Sequence, residues 1–162
     1  MKTLLILRHA KSSWDDSRLS DYERPLNSRG KRDAPRMGQL LRDEELVPDL
    51  IITSPAERAV ATAEAVATAS GYAHEIKFTR QLYHAAPEEY VEVLQEEGGN
   101  YQRVMVVGHN PGIEYLVELL TDVDERMPTC ALAQVELPIE QWTELNEEVM
   151  GKLVNVWRPK EL

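Results

Sequence analysis

The chain has 162 residues, of which 43% are hydrophobic and 28% are charged, and its formal net charge is −10. This length and ordinary composition predict one domain over residues 1–162 whose core needs no disulfide, and the single cysteine, Cys130, excludes an intrachain one. The acidic balance and the short apolar runs argue against nucleic acid and membranes as partners, so we expect a cytoplasmic protein without a signal peptide.

The first half of the chain alternates apolar strands with polar or helical segments. In chain order, the pattern predicts a buried strand at 2–8, a polar loop at 12–27, a helix at 29–43 capped by Asn27 or Ser28, and a strand at Leu50–Thr53. The stretch "SPAERAVATAEAVATASG" then carries strong helix signals. We predict Ser54 as its N-cap, Pro55 at the first helical position, Glu57 completing a capping box, and Gly71 at its end.

The second half continues the alternation. In chain order, we predict a strand at 74–79, a helix at 87–97, a strand in "YQRVMVVGH", a helix in "NPGIEYLVELL", and strands at Ala131–Leu137 and Lys152–Trp157. Strands that alternate with helices indicate an α/β fold with a mostly parallel sheet covered on both faces. The predicted architecture is therefore a single-domain three-layer α/β/α sandwich, whose last strand can run antiparallel at an edge.

Three segments share one arrangement, in which a polar residue follows an apolar strand directly. They are "LLILRHA", "LIITSPAER" and "VMVVGHNPG", and they carry Arg8, His9, Arg58 and His109. In open α/β sheets, ligands bind beyond the carboxyl ends of the strands. We therefore expect these four side chains to meet in one pocket at that edge.

The residue types at this edge indicate phosphate. Arg58 lies in the first turn of its predicted helix, where the dipole favours anions, although Glu57 or Glu64 could simply pair with it. Guanidinium groups bind phosphate bidentately, and a neutral imidazole can accept a phosphoryl group. For one histidine alone, a structural role or a metal ligand is the alternative reading, but no His-Glu-x-x-His metal motif or Gly-Lys-Ser/Thr phosphate loop is present.

Other charged side chains receive a simpler interpretation. We interpret five of them as solvated residues of loops or helix surfaces: Arg29, Lys31, Arg32, His74 and His84. Whether Lys11, which follows the first strand, contacts a ligand is left open at this point.

The motifs together resemble the histidine phosphatase superfamily. The segments "RHA", "SPAERAVATA" and "VVGHNPG", with "RPLNSRG" and the C-terminal "RP", are similar to its SixA-type branch of phosphohistidine phosphatases. The resemblance implies a phosphoglycerate mutase-like fold and a phosphorylated nucleophile, His9, without a metal or another cofactor. It also implies that Arg8, Arg58 and His109 complete the catalytic site and bind the phosphate, with Arg24 of "ERPLN" as a further phosphate-binding arginine.

The sequence departs from the superfamily pattern at two points. Ala10 stands where glycine is usual, which the SixA-type branch tolerates. Many members also place a carboxylic acid after the central strand to protonate the leaving group, and here that region reads "FTRQLYHAAPEEY". We assign Glu88 and Glu89 to a helix face, so no carboxylate is clearly placed as the acid.

The missing acid favours a substrate with a good leaving group. An alkoxide needs a proton from a general acid, whereas the imidazole of phosphohistidine leaves more easily. The leading hypothesis is a metal-independent phosphatase that forms phospho-His9 and acts on phosphohistidine in proteins. The alternatives are a small-molecule phosphomonoesterase of the same superfamily, a non-catalytic phosphoprotein-binding module, and a metal hydrolase that uses the four histidines. The partner is accordingly a phosphorylated protein or a small phosphorylated substrate.

Overall fold

A computed structural model describes all 162 residues. Six strands form one sheet: β1 (Lys2–Arg8), β2 (Leu50–Thr53), β3 (Ile76–Phe78), β4 (Arg103–Gly108), β5 (Leu132–Leu137) and β6 (Lys152–Trp157). Four α-helices pack on the sheet: α1 (Ser28–Asp43), α2 (Glu57–Ser70), α3 (Pro87–Glu97) and α4 (Gly112–Thr121). No helix has the length and apolar character that crossing a bilayer requires.

The sheet has the strand order β3-β2-β4-β1-β5-β6. The first four of these strands are mutually parallel, and β5 runs antiparallel to β1. The edge strand β6 is antiparallel to its neighbour β5, as predicted for the last strand. The strand that runs against the parallel group is β5. Because β6 is antiparallel to β5, it runs in the same direction as β1.

The two faces of the sheet bury separate apolar clusters. Along β1, Leu4 and Ile6 pack with α3 and α4, whereas Leu5 and Leu7 pack with α1 and α2. All four side chains are fully buried, and burial of one such side chain contributes about 1.5–3 kcal/mol. Alternate residues of one strand thus hold both helix layers, and the predicted three-layer α/β/α sandwich is confirmed.

Helix boundaries differ from the prediction mainly at α2. The helix begins at Glu57 with Ala56 as its N-cap, so the prediction of Ser54 as N-cap is wrong. Its end at Gly71, which has a left-handed φ of 82°, agrees with the prediction. At α1, the side chain of Asn27 accepts a hydrogen bond from the amide of Gly30 at 2.9 Å and caps the helix.

Parallel pairing brings three strand ends to one edge. Arg8 pairs with Gly108, and Thr53 pairs with Val107, so the residues that follow β1, β2 and β4 lie side by side. The hydroxyl oxygen of Tyr90 lies under this edge, 3.4 Å from the amide nitrogen of His109. A Cβ atom at position 108 would overlap that hydroxyl, which explains why glycine ends β4.

Candidate active site

A pocket of about 370 Å³ opens at the carboxyl edge of β1, β2 and β4. All five residues predicted for catalysis or phosphate binding line it: Arg8, His9, Arg24, Arg58 and His109. Lys11, for which no role was assigned, also lines the pocket. The other lining residues are Ser12, Trp14, Asp21, His84, Asn110 and Thr129. In an acidic protein, the pocket thus concentrates four arginine and lysine side chains, three from strand ends and loops and the fourth, Arg58, from α2.

His9 is held in one tautomer by the backbone. Its Nδ1 atom lies 2.8 Å from the carbonyl oxygen of Ala10. Since a carbonyl can only accept, Nδ1 carries the proton and the lone pair of the neutral ring is on Nε2. Burial lowers the pKa of His9 to about 4, and the positive charges of Arg58, Arg8 and Arg24 act in the same direction. The ring is therefore neutral and nucleophilic at pH 7.

Ala10 contributes its backbone rather than its side chain to this arrangement. Its carbonyl orients His9, and its amide donates to Thr62 Oγ1 on α2 at 2.9 Å. The side chain is fully buried. The departure from glycine at this position leaves these two backbone contacts in place.

His109 faces His9 across the pocket, with the ring centroids 5.1 Å apart. Its Nδ1 accepts from Nη2 of Arg58 at 3.3 Å, so its proton is on Nε2, which donates to Ser54 Oγ at 2.8 Å. Burial lowers the pKa of His109 to about 3, with further contributions from His9 and Arg58. Ser54 is thus a site residue that was mistaken for a helix cap, although its place directly after β2 matched the strand-end pattern.

The arginines of the pocket are directed by carbonyl and carboxylate oxygens. Arg8 donates from Nη1 to the carbonyl of Met127 at 3.1 Å, and its Nε is buried without a partner. Arg58 donates to the backbone carbonyl of Asp21 at 2.6 Å and to its Oδ2 at 2.9 Å. An unpartnered buried N–H is costly, so the free Nε of Arg8 indicates where an anion would bind.

Arg24 approaches the pocket from the loop between β1 and α1. It donates to the Ser13 carbonyl at 3.1 Å, to Asp21 Oδ1 at 3.0 Å, and to the hydroxyl of Ser12. Its guanidinium also lies 3.2 Å from the ring centre of Trp14, an otherwise exposed side chain. These contacts direct a long, flexible side chain into the pocket and leave it only 7% exposed.

Asp21 is the residue that the sequence analysis missed. Its carboxylate binds Arg24 and Arg58, and it also accepts from the hydroxyl of Tyr83 at 2.8 Å. Burial by itself would raise the pKa of Asp21, but the hydrogen bonds from Tyr83 and Arg58 outweigh it and hold the pKa far below the ordinary value. Arg58 therefore pairs with Asp21, and not with Glu57 or Glu64 as considered from the sequence.

His84 lies at the mouth of the same pocket. Its Nε2 is 3.6 Å from Asp21 Oδ2, and its ring lies against that of Tyr83, with centroids 4.0 Å apart and the planes tilted by 39°. The backbone has a left-handed φ of 55°, which is uncommon for a residue other than glycine and is typical of functional sites. The side chain is 62% exposed, so His84 is a surface loop residue as predicted, but one that reaches the pocket.

The two glutamates that were weighed as acids lie elsewhere. Glu89 accepts from the amide of Ala86 and caps α3, and Glu88 lines a separate surface groove with Val91 and Gln95. No three histidine, cysteine, aspartate or glutamate side chains are grouped so that they could hold a metal ion. The chemistry available in the pocket is thus that of a neutral histidine surrounded by arginines.

Known proteins are similar to this chain in sequence or in structure. The family model of the histidine phosphatase superfamily (branch 1) matches residues 4–84. An uncharacterized chloroplastic protein of Arabidopsis thaliana is 32% identical over 152 residues, which cover 88% of this chain and 70% of the relative. The candidate phosphohistidine phosphatase SixA of Agrobacterium tumefaciens is 28% identical, with a TM-score of 0.82 and 98% of both chains covered. The protein histidine phosphatase SixA complexed with tungstate has the same fold, with a TM-score of 0.81 and 98% of both chains covered at 24% identity.

Proposed function

We propose that this chain, which belongs to the histidine phosphatase superfamily, dephosphorylates phosphohistidine in proteins through a covalent intermediate on His9. The observation that carries the proposal is the fixed tautomer of His9, whose Nδ1 proton rests on the Ala10 carbonyl and whose Nε2 is free. Residues 1–162 then act as one catalytic domain. The phosphoglycerate mutase-like fold and the similarity to SixA-type proteins support a phosphatase in general.

In the first step, His9 Nε2 attacks phosphorus. A bond forms between Nε2 and phosphorus while the bond from phosphorus to the leaving nitrogen breaks, and the leaving imidazole takes the electron pair. If its other ring nitrogen carries a proton, it leaves as a neutral molecule. Arg8, Arg24 and Arg58 bind the oxygens of the transferring group, which carry charge in the transition state, and His109 lies beside them.

In the second step, water attacks phosphorus and the bond to Nε2 breaks, so that its electron pair returns to His9. The Ala10 carbonyl keeps Nδ1 protonated throughout, so phospho-His9 releases neutral imidazole without a separate acid. The two protons of the water remain with the product, which leaves as dihydrogen phosphate and then ionises. The same hydrogen bond therefore prepares the nucleophile for the first step and the leaving group for the second.

The pocket offers no carboxylic acid for protonating a poor leaving group. Asp21 is the one carboxylate there, and its lowered pKa keeps it ionised at neutral pH. The pKa of Tyr83 is raised by burial and by its hydrogen bond to Asp21, so the phenol is a poor proton donor as well. His84, beside Asp21 at the mouth, is the group that can pass a proton to a leaving imidazole. Without a carboxylic acid, the pocket favours phosphohistidine, whose imidazole is a good leaving group, over alkyl phosphates.

Two other functions remain as alternatives. A small-molecule phosphomonoesterase would use the same pocket but would need an acid for its alkyl leaving group. A non-catalytic phosphoprotein-binding module would need the arginines but not the fixed tautomer of His9. The tautomer is an argument for turnover, since binding an anion requires donors and not a lone pair on Nε2.

A substrate panel tests the proposal. Purified protein is assayed with a phosphohistidine peptide, 3-phosphoglycerate and p-nitrophenyl phosphate, each with and without a chelator. We expect turnover of the peptide and the aryl phosphate, almost none of 3-phosphoglycerate, and no effect of the chelator. Preference for 3-phosphoglycerate would support the small-molecule phosphatase, and loss of all activity with chelator would exclude a metal-independent mechanism. Binding of the peptide without turnover would identify a binding module.

A further inference from the structure

A second concentration of positive charge lies next to the catalytic pocket. Three arginines on α1 and two cations after β6 line a groove of about 650 Å³, which we call the basic groove: Arg29, Arg32, Arg36, Arg158 and Lys160. Thr129 lines both the groove and the catalytic pocket, so the two are adjacent. The rest of a protein with a net charge of −10 repels anions, which makes this groove an exception on the surface.

The cations of the groove are only partly neutralised. One buried carboxylate, Asp33, faces three guanidinium groups at 3.2–3.8 Å, those of Arg29, Arg32 and Arg36. Lys160 is exposed and has no ion-pair partner. Arg158 is the exception, because it binds Glu125 at 2.8 Å and lies 3.5 Å from Glu161. Arg36 also donates to backbone oxygens of Pro159 at 3.4 Å and Leu162 at 3.2 Å, so the positive charge left over on the α1 side lies on Arg29 and Arg32.

The spacing of the arginines indicates an extended anionic partner rather than a single phosphate. Positions 29, 32 and 36 lie on one face of α1, and the outer two are about 10 Å apart along the helix axis. Their side chains are 46%, 63% and 38% exposed, so a partner in the groove can reach all three. No buried N–H without a partner lies in the groove, in contrast to Arg8 Nε in the catalytic pocket.

We propose that the basic groove binds an acidic segment of the phosphorylated protein, next to its phosphohistidine. The proposal rests on the proposed function and adds the surface chemistry of its substrate. Asp or Glu side chains of such a segment would pair with Arg29, Arg32 and Lys160 while the phosphoryl group enters the pocket beyond Thr129. These exposed charges act on association and on KM, and they are weakened by salt.

The test uses two phosphohistidine peptides of equal length, one flanked by Glu and Asp and the other by Ser and Gly. The variant is Arg29→Gln/Arg32→Gln, in which Asp33 keeps its partner Arg36. The matched control is Lys31→Gln/Arg42→Gln, which removes the same charge from exposed positions of α1 outside the groove. Lys160→Gln serves as a second variant that breaks no ion pair, in case the double variant folds poorly.

We expect kcat/KM for the acidic peptide to fall about fivefold in the double variant and about twofold in Lys160→Gln, through KM and only at low salt. The neutral peptide, p-nitrophenyl phosphate and the control variant should change less than twofold. Equal losses on both peptides, or none, would overturn the proposal. It would also be overturned if the variants lost affinity for a single-stranded oligonucleotide but kept their affinity for the acidic peptide.

Affinity for the acidic peptide without phosphate, measured by fluorescence anisotropy, separates this proposal from the proposed function. Binding that depends on Arg29 and Arg32, together with no hydrolysis of either phosphopeptide, would support the groove and refute the phosphohistidine activity. Hydrolysis of both phosphopeptides at equal rates, with no binding of the acidic peptide, would support the activity and refute the groove.

Discussion

The catalytic pocket and the basic groove are both rich in arginine, but they hold it differently. In the pocket, Arg24 and Arg58 are 7% and 4% exposed, and each is directed by the carboxylate of Asp21 and by backbone oxygens. In the groove, the side chains of Arg29 and Arg32 are 46% and 63% exposed and share one carboxylate. Burial holds a guanidinium group in one orientation, which the stabilisation of a transition state requires. Exposure lets a guanidinium group adapt to partners of different shape.

The largest effect is expected at the nucleophile. His9→Ala should lower kcat with p-nitrophenyl phosphate by about 10⁴-fold or more, because no other group can form the covalent intermediate. Quenching at high pH should trap a base-stable, acid-labile phosphoryl group on the unaltered protein and not on the variant. The control is His74→Ala, a histidine outside the pocket. Full activity in His9→Ala would exclude the covalent mechanism, and with it the functional distinction between the catalytic pocket and the basic groove.

A smaller effect separates the two kinds of arginine directly. Arg58→Gln should lower kcat/KM for p-nitrophenyl phosphate by about 10²-fold and weaken tungstate binding, because each charged hydrogen bond contributes about 1.5–3 kcal/mol. Arg32→Gln should leave both quantities within about twofold. Comparable losses in the two variants, measured at one ionic strength, would show that burial does not distinguish these arginines.

Stability against acid should also depend on the pocket. The pKa values of His9 and His109 are lowered to about 4 and about 3 in the folded chain, whereas histidine in an unfolded chain titrates near pH 6.5. Between about pH 6.5 and 4 the unfolded state therefore binds more protons, and the free energy of unfolding falls as the pH falls. For His9 alone the loss is about 3 kcal/mol.

Urea unfolding at several pH values between 7.5 and 4 measures this loss. His9→Gln, which cannot titrate, should show a shallower decline over the same window. The arginines of the basic groove should contribute nothing, because arginine stays charged throughout this pH range. Parallel curves for the two proteins would mean that His9 is not held neutral by its surroundings.

The smallest effect is expected at the mouth of the pocket. His84→Gln should slow hydrolysis of a phosphohistidine peptide by about tenfold, below the usual range for a general acid because imidazole is already a good leaving group. Turnover of p-nitrophenyl phosphate, whose phenolate needs no proton, should change less than twofold. His74→Gln is the matched control. Equal slowing on both substrates would point to a structural role for His84 instead.

Much of the site could be predicted because it depends on local patterns. Apolar runs followed directly by Arg8, His9 and His109 mark strand ends, and parallel strands bring such ends together. The capping signals around Ser54 were misread, since a serine three residues before a helix resembles an N-cap even when it bonds to a histidine that follows another strand. The sequence shows the residue type but not the residue with which its side chain forms a hydrogen bond.

Features that depend on distant contacts could not be predicted. Asp21 meets Arg58 and Tyr83 only because the loop after β1 folds over the edge of the sheet. The reversal of β5 is equally hidden, because an apolar strand reads the same in either direction. In the sequence, Arg29 and Arg32 resemble ordinary solvated residues of a helix. In the structure, residues 158–162 form the opposite wall of the basic groove.

The close approach of Tyr90 to Gly108 limits how this sequence can diverge. A methyl group at position 108 would collide with the tyrosine hydroxyl, and that ring is fully buried. Position 108 can therefore gain a side chain only after residue 90 has become smaller, a change that leaves a gap beneath the pocket. Gly112, whose own Cβ would collide with the Ala85 carbonyl, adds a second such constraint at the start of α4. We thus expect a larger residue at position 108 to occur only together with a smaller one at position 90, whereas Gly112, which faces backbone, should stay glycine.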